Sequence, residues 1–111
     1  MAQFNLNKTV LELDINGEEY IATVDIKTVS HYKQVNKESF LQATQKVAEL
    51  DEVVIMKLLG SIIRKSDKAN PVGFNFFKDF NPMAVVEHFT PVLVEVLGVN
   101  MPEAKDEEEK K

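Results

Sequence analysis

The chain has 111 residues with 18 acidic and 13 basic side chains, no cysteine and a net charge of −5, a length that suits one globular domain. Without cysteine it cannot use disulfides, thiolate zinc sites or a cysteine nucleophile, and its negative charge disfavours general binding to nucleic acids. Residues 1–25 lack the pattern of a signal peptide and no apolar run reaches the roughly 18 residues that span a bilayer, so we expect a cytoplasmic protein without membrane association.

Residues 8–25 predict a β-hairpin. β-prone side chains alternate on both sides of the pair Asn16-Gly17, which favours a two-residue type I′ turn. Such a turn fixes the register of the two strands. The predicted cross-strand pairs of the apolar face are Leu13 with Tyr20 and Leu11 with Ala22, extended by Thr9 and Val24. The opposite face should meet water, and it carries Glu12, Asp14, Glu19 and Thr23.

A helical body is predicted over residues 26–98. Asp25 or Thr28 can cap a first helix that runs to about Val35. Residues 36–50 then repeat apolar side chains at helical spacing, which predicts a second helix. The apolar stripe of that second helix consists of Phe40, Ala43, Val47 and Leu50.

The third predicted helix begins at Asp51 and forms the centre of the core. Its first turn is acidic and its last turn contains Arg64 and Lys65, an order that suits the helix dipole. Its apolar side chains cover more than one stripe, which is typical of a helix that is buried on several sides. The predicted core consists of Leu11, Leu13, Tyr20, Val24, Phe40, Val47, Ile55, Leu58, Leu59 and Ile62.

A loop and a last helix complete the predicted domain. Two prolines and a glycine interrupt residues 66–82. Asn81 and Pro82 then provide an N-cap and a first helical residue, and Gly98 ends the helix. Pro91 lies inside this helix and predicts a kink or a break near residues 87–90. The fold class is therefore α+β, with one domain over residues 1–100, an N-terminal hairpin, about four helices and a charged, disordered tail over residues 101–111.

The sequence gives no sign of catalysis, a metal site or a cofactor. His31 and His88 lie far apart and match no metal-ligand spacing. No serine or glycine stands in a nucleophile or phosphate-binding motif. The acidic pairs Glu18-Glu19 and Asp51-Glu52 are explained by a hairpin turn and a helix start. We therefore predict a protein that is not an enzyme.

Two apolar segments are candidates for binding a partner protein. The loop holds four of the seven phenylalanines, and the apolar face of the last helix is wide for so small a domain. The alternative for both segments is that their apolar side chains pack into the core of the domain. Apolar side chains on several faces also predict a homo-oligomer. The candidate partner-binding residues are Phe74, Phe76, Phe77, Phe80, Val85, Phe89, Val92 and Val96.

The order of these parts resembles that of the tail assembly chaperones of long-tailed phages and prophages of Gram-positive bacteria. The resembling segments are the hairpin "LELDINGEEYIATVD", the helical "IMKLLGSIIRK" and the charged end that follows "VLGVNMPEAK". The resemblance implies a protein that coats the helical tape-measure protein and keeps it soluble while tail-tube subunits polymerise around it. The tape-measure protein, and with it the tail-tube protein, are thus the implied partners, and no catalytic residue or cofactor is implied.

Two other functions stay open at this point. The chain could be a structural or connector subunit of the finished tail, or a small nucleic-acid-binding regulator that uses Arg64, Lys65 and Lys68 beside the phenylalanines. The net charge opposes the second alternative. The terminal pair Lys110-Lys111 fits either a ribosomal frameshift site, as the family implies, or a charged tail that aids solubility.

Overall fold

The chain begins its regular structure with the predicted hairpin. We describe residues 2–98 of a computed structural model. Strand β1 spans Val10–Ile15 and strand β2 spans Glu18–Thr23. Leu13 pairs with Tyr20 and Leu11 with Ala22, so the predicted register is confirmed. The turn residues Asn16 and Gly17 have φ angles of 54° and 87°, as a type I′ turn requires.

A third strand, β3, spans Ile63–Arg64 and pairs antiparallel with β2, in the order β1-β2-β3. The prediction that Arg64 and Lys65 end a helix was therefore wrong. The preceding helix stops at Ile62, and Ile63 has extended φ and ψ angles of −89° and 136°. Val72 then donates its backbone N–H to the Ile63 carbonyl at 3.0 Å. The bonds to β2 and to residue 72 favour a strand at a place where the local sequence favours a helix.

Helix α1 spans Ile26–Asn36 and is capped as predicted. Asp25 accepts a hydrogen bond from the Thr28 N–H, and the Thr28 hydroxyl accepts one from the Asp25 N–H, which is a capping box. The predicted second helix was too long. Helix α2 spans only Phe40–Thr44, and a 3₁₀ helix, Val47–Glu49, follows.

The break after α2 has a local cause. The Thr44 hydroxyl donates to the Leu41 carbonyl at 2.7 Å, and this bond competes with continuation of the helix. Leu50 has a φ angle of 56° and is exposed, so it does not belong to the predicted apolar stripe. The left-handed residue redirects the chain into the next helix.

Helix α3 spans Glu52–Ile62 and helix α4 spans Pro82–Leu97. Their N-caps are Asp51 and Asn81, and Gly98 ends α4 with a φ angle of 69°, as predicted. The predicted break near Pro91 is absent, because α4 stays helical throughout. Proline deprives the Glu87 carbonyl of its helical donor, but Glu87 is exposed, so water can satisfy it.

Helix α3 lies at the centre of the core. Six of the ten predicted core residues are buried and the other four pack against them. The buried six are Phe40, Val47, Ile55, Leu58, Leu59 and Ile62. The prediction missed further buried residues, among them Tyr32, Ile63, Leu93 and Arg64. The α+β fold is thus confirmed, with a three-stranded sheet in place of the lone hairpin.

The domain prediction falls partly outside the described residues. The tail predicted over residues 101–111 lies beyond residue 98 and is not described. Within residues 2–98, no helix has the length and apolar character needed to cross a membrane.

Candidate partner-binding surface

The structure separates the eight predicted partner-binding residues into core and surface. Phe77, Val85 and Val96 are only 2%, 3% and 8% exposed, so they are core residues and offer little surface to a partner. For these three residues, the prediction of a contact with a partner is replaced by packing in the core. Phe74 is exposed by 41%. The remaining four are half-buried: Phe76, Phe80, Phe89 and Val92.

The phenylalanine loop is anchored rather than free. A 3₁₀ helix, Phe74–Phe77, turns Phe77 inward. The Phe76 ring meets Tyr20, Phe77 and Phe80 edge to face, with centroids 5.1 to 5.4 Å apart. Such pairs stabilise beyond the area that they bury. The prolines and Gly73 of this loop led us to expect that it is free to reorganise and more accessible than the last helix. The aromatic contacts hold the loop in place, but Phe74 is still the most exposed of the eight residues.

A groove of about 620 Å³ lies between β1 and the first half of α4. We call it the hairpin groove. Four of the predicted residues line it, and Leu13 and Ile15 of the hairpin face them. The predicted residues in the groove are Phe80, Val85, Phe89 and Val92. The sequence prediction thus named residues of one wall of the groove, whereas it placed Leu13 of the opposite wall in the core and did not name Ile15.

The rim of the hairpin groove is acidic. Glu12 and Asp14 come from β1, and Asp79 comes from the loop before α4. His88 and two asparagines complete the polar lining, and no lysine or arginine among residues 2–98 lines the groove. The groove therefore attracts positively charged groups. The alternation along β1 indicated that Glu12 and Asp14 would be exposed, but only the tertiary structure places Asp79 beside them.

A second groove of about 510 Å³ lies among the helices. It is lined mainly by apolar side chains, including Val29 of α1, Phe40 and Leu41 of α2 and Leu97 of α4. Leu41 is 71% exposed. Among the residues that the structure describes, Lys33 is the one charged side chain in the lining of this second groove, so the groove shows little charge selectivity.

One histidine–serine contact lies partly inside the domain. His31 Nδ1 lies 2.7 Å from the Ser61 hydroxyl, and burial lowers the pKa of His31. Ser61 is completely buried, so a substrate cannot reach it as a nucleophile. Within residues 2–98, no three histidine or acidic side chains lie together in a way that could hold a metal ion.

The basic cluster suggested for nucleic-acid binding is neutralised. Arg64 is completely buried and lies against Asp25. Lys65 is 2.9 Å from Glu18 and lies over the Tyr20 ring. A phosphate backbone would need the charges of these side chains free at the surface. Of the three residues, only Lys68 remains an exposed cation without an acidic partner among the described residues.

The chain matches no protein-family model, no curated protein and no solved structure at a significant level. The resemblance to tail assembly chaperones thus stays a prediction from the order of the parts.

Proposed function

We propose that this chain is a non-enzymatic tail assembly chaperone of a long-tailed phage or prophage. It binds apolar segments of the tape-measure protein in the host cytoplasm and keeps that protein soluble while tail-tube subunits assemble around it. The proposal includes self-association of the chaperone. The observation that carries it is the hairpin groove, an open apolar surface with an acidic rim.

The chemistry of the groove favours protein binding over catalysis. Half-buried rings and aliphatic side chains at Leu13, Phe80, Phe89 and Val92 can take up apolar side chains from a partner. The acids on the rim can select a partner by its charge and set its orientation. A chaperone needs both properties, because it must hold its client and release it to the tube. The order of the sequence segments adds support for the tail assembly family.

Co-expression tests the proposal directly. The tagged chain is expressed with the tape-measure protein of a long-tailed phage of Gram-positive bacteria, and soluble client is measured after affinity capture. We expect the client to remain soluble and to be captured. Val92→Asp places a charge in the groove and should reduce capture at least about tenfold, since it buries a charge against the client.

Val53→Asp is the matched control. Val53 is an exposed valine on α3, outside the hairpin groove, and its change should leave capture unaltered. Loss of capture in both variants, or no capture by the unchanged chain, would contradict the proposal. The presence of the protein in purified tails would instead favour the structural-subunit alternative.

A further inference from the structure

We infer that the free edge of β1 is a strand-addition site, which takes an extended client segment of alternating apolar and basic residues. The inference rests on the proposed function for the identity of the client. It concerns the conformation and the charge of the segment that the hairpin groove binds.

The backbone of β1 has an unused hydrogen-bonding edge. β1 is an outer strand of the sheet, whereas the outer side of β3 is bonded to Val72. In a hairpin with a two-residue turn, the pair next to the turn exchanges both backbone hydrogen bonds, and pairs then alternate along the strands. Ile15 and Glu18 form that first pair. The N–H and C=O groups of Asp14 and Glu12 therefore point away from β2.

These outward groups have no backbone partner among the described residues. The backbone hydrogen bonds outside the helices and strands include none from or to Glu12 or Asp14. Asp14 makes a hydrogen bond only through its side chain, which accepts from the Gly17 N–H at 2.8 Å. Two donors and two acceptors are thus available to a neighbouring strand, which is how a sheet edge binds a peptide.

The hairpin groove follows this edge. Its lining includes the five consecutive residues from Glu12 to Asn16. A groove over one face of a strand would be lined by alternate residues, because successive side chains point to opposite faces. Consecutive lining residues indicate that the strand presents its edge to the groove. A strand added there would have α4 on one side.

The side chains around this edge specify the sequence of the added strand. Leu13 and Ile15 face the core side, where Phe89 and Val92 also line the groove. Alternate apolar residues of the added strand would pack there. The residues between them would lie on the water side beside Glu12 and Asp14, which are exposed. Opposite charges across a strand pair are stabilising, so these residues should be lysine or arginine.

A bound helix would make fewer hydrogen bonds at this site than an added strand. It could place an apolar face on Phe80 and Phe89, but its backbone would leave the outward groups of Glu12 and Asp14 without partners. An added strand satisfies those groups and the charged rim together. A nucleic acid is excluded, because its phosphates carry the same sign of charge as the rim.

Three synthetic octapeptides test the inference with the full chain. One alternates valine and lysine, one has the same residues in two blocks, and one alternates valine and glutamate. Affinity is measured by titration calorimetry at low and high salt. We expect the alternating lysine peptide to bind at least about tenfold more tightly than either of the others, and to lose affinity as salt rises.

Amide hydrogen exchange locates the bound peptide. With the lysine peptide bound, exchange at the Glu12 and Asp14 amides should slow at least about tenfold, because both become hydrogen-bonded. Equal affinity for the block peptide, unchanged exchange at these two amides, or helical circular dichroism from the bound peptide would each overturn the inference.

Two variants separate the backbone from the charge. Glu12→Pro removes an outward N–H without removing a bond to β2, a place where an edge strand tolerates proline. Because it also removes the Glu12 carboxylate, it is compared with Glu12→Gln, and it should bind the peptide about fivefold or more weakly than that variant, the contribution of one backbone hydrogen bond. Glu12→Gln keeps the N–H and should weaken only the part of the peptide affinity that depends on salt.

Glu95→Gln is the control for the charge, since Glu95 is an exposed acid of α4 outside the groove. If Glu12→Pro unfolds the hairpin, the exchange data and Glu12→Gln still decide the outcome. Capture of the tape-measure protein without a preference for the alternating peptide would leave the chaperone function standing and remove strand addition. Conversely, a preference for the alternating peptide without capture of the tape-measure protein would support strand addition and contradict the chaperone function.

Discussion

Arg64 Nη2 lies 2.6 Å from Asp25 Oδ1, and Arg64 is completely buried. This ion pair joins strand β3 to the N-cap of α1. The Arg64 guanidinium also donates to the Asp67 carbonyl at 2.9 Å, while Lys8 lies 3.2 Å from Asp25 and 2.6 Å from the Asp67 carboxylate. Two cations, the buried Arg64 and the partly exposed Lys8, thus both link Asp25 to Asp67.

The first prediction concerns Asp25. Burial acts to raise the pKa of Asp25, but Arg64, the Thr28 N–H and Lys8 together hold it well below the ordinary value of 3.8. A carboxylate with a lowered folded pKa contributes stability above the unfolded pKa, and this contribution is lost as pH falls towards the folded value. The unfolding free energy should therefore decline below about pH 4.

Asp25→Asn tests the same contact at neutral pH. It leaves the buried Arg64 without its carboxylate, which should cost about 3–5 kcal/mol of unfolding free energy. Chemical denaturation at pH 7 measures the loss, and the variant should also lose part of the acid dependence. Asp67→Asn is the matched control, because the Asp67 side chain is mostly exposed and its ion pair should contribute at most about 1 kcal/mol. Equal losses in the two variants would contradict the assigned role of the buried pair.

The second prediction separates two neighbouring phenylalanines. Phe77→Ala removes a buried ring that packs edge to face on Phe76, Phe80 and Phe89, and should cost about 3–5 kcal/mol of unfolding free energy. Phe74→Ala removes a ring from a residue that is 41% exposed and should cost less than about 1 kcal/mol. Thermal and denaturant unfolding measure both. A large loss at Phe74 would show that it, too, belongs to the core.

The third prediction concerns the contact between α3 and the loop before α4. A Cβ atom at Gly60 would lie 2.6 Å from the backbone carbon of Gly73, where no relaxation of a side chain can make room. Alanine usually stabilises a helix by about 1 kcal/mol relative to glycine. At Gly60 the clash should outweigh this gain, and Gly60→Ala should cost about 1–3 kcal/mol.

Ser30→Ala is the comparison for Gly60→Ala. Ser30 is exposed on α1, and alanine there should be neutral or slightly stabilising. Denaturant midpoints measure both variants. A stabilised Gly60→Ala protein would show that the loop can move away from α3.

The fourth prediction is self-association. Several large apolar side chains of the described residues are exposed, among them Ile26, Leu41 and Met83, and patches of this kind often mark protein contacts. Light scattering at high micromolar concentration should show a dimer or a larger oligomer. A strict monomer would remove this part of the proposed function, although it would leave the binding of a client to be tested separately.

Local chemistry explains which elements the sequence could predict. The Asn16-Gly17 turn and the caps at Asp25, Asp51 and Asn81 act through residues within three positions, so a short stretch of sequence carries the information. Strand β3 depends instead on β2, about forty positions earlier, and on the backbone of Val72. No window of sequence around Ile63 contains those partners.

In the candidate surface, too, some features follow from nearby residues and others depend on the tertiary structure. Its apolar wall on α4 follows from helical periodicity, and Phe80, Phe89 and Val92 were predicted. Whether a given phenylalanine faces the core or the solvent was not predictable, because the 3₁₀ helix Phe74–Phe77 decides it. The edge of β1 became a candidate site only when the order of the strands showed that nothing in the described chain pairs with it.

The direct passage from α3 into β3 limits how this protein can change during evolution. Ile62 ends the helix and Ile63 begins the strand, with no residue between them. One inserted residue within α3 would rotate the following helical side chains by about 100° relative to those before it. It would also shift β3 by one position and turn Arg64 to the opposite face of the sheet. We expect natural variants to differ here by substitution, and to gain or lose residues in the exposed stretch 65–68.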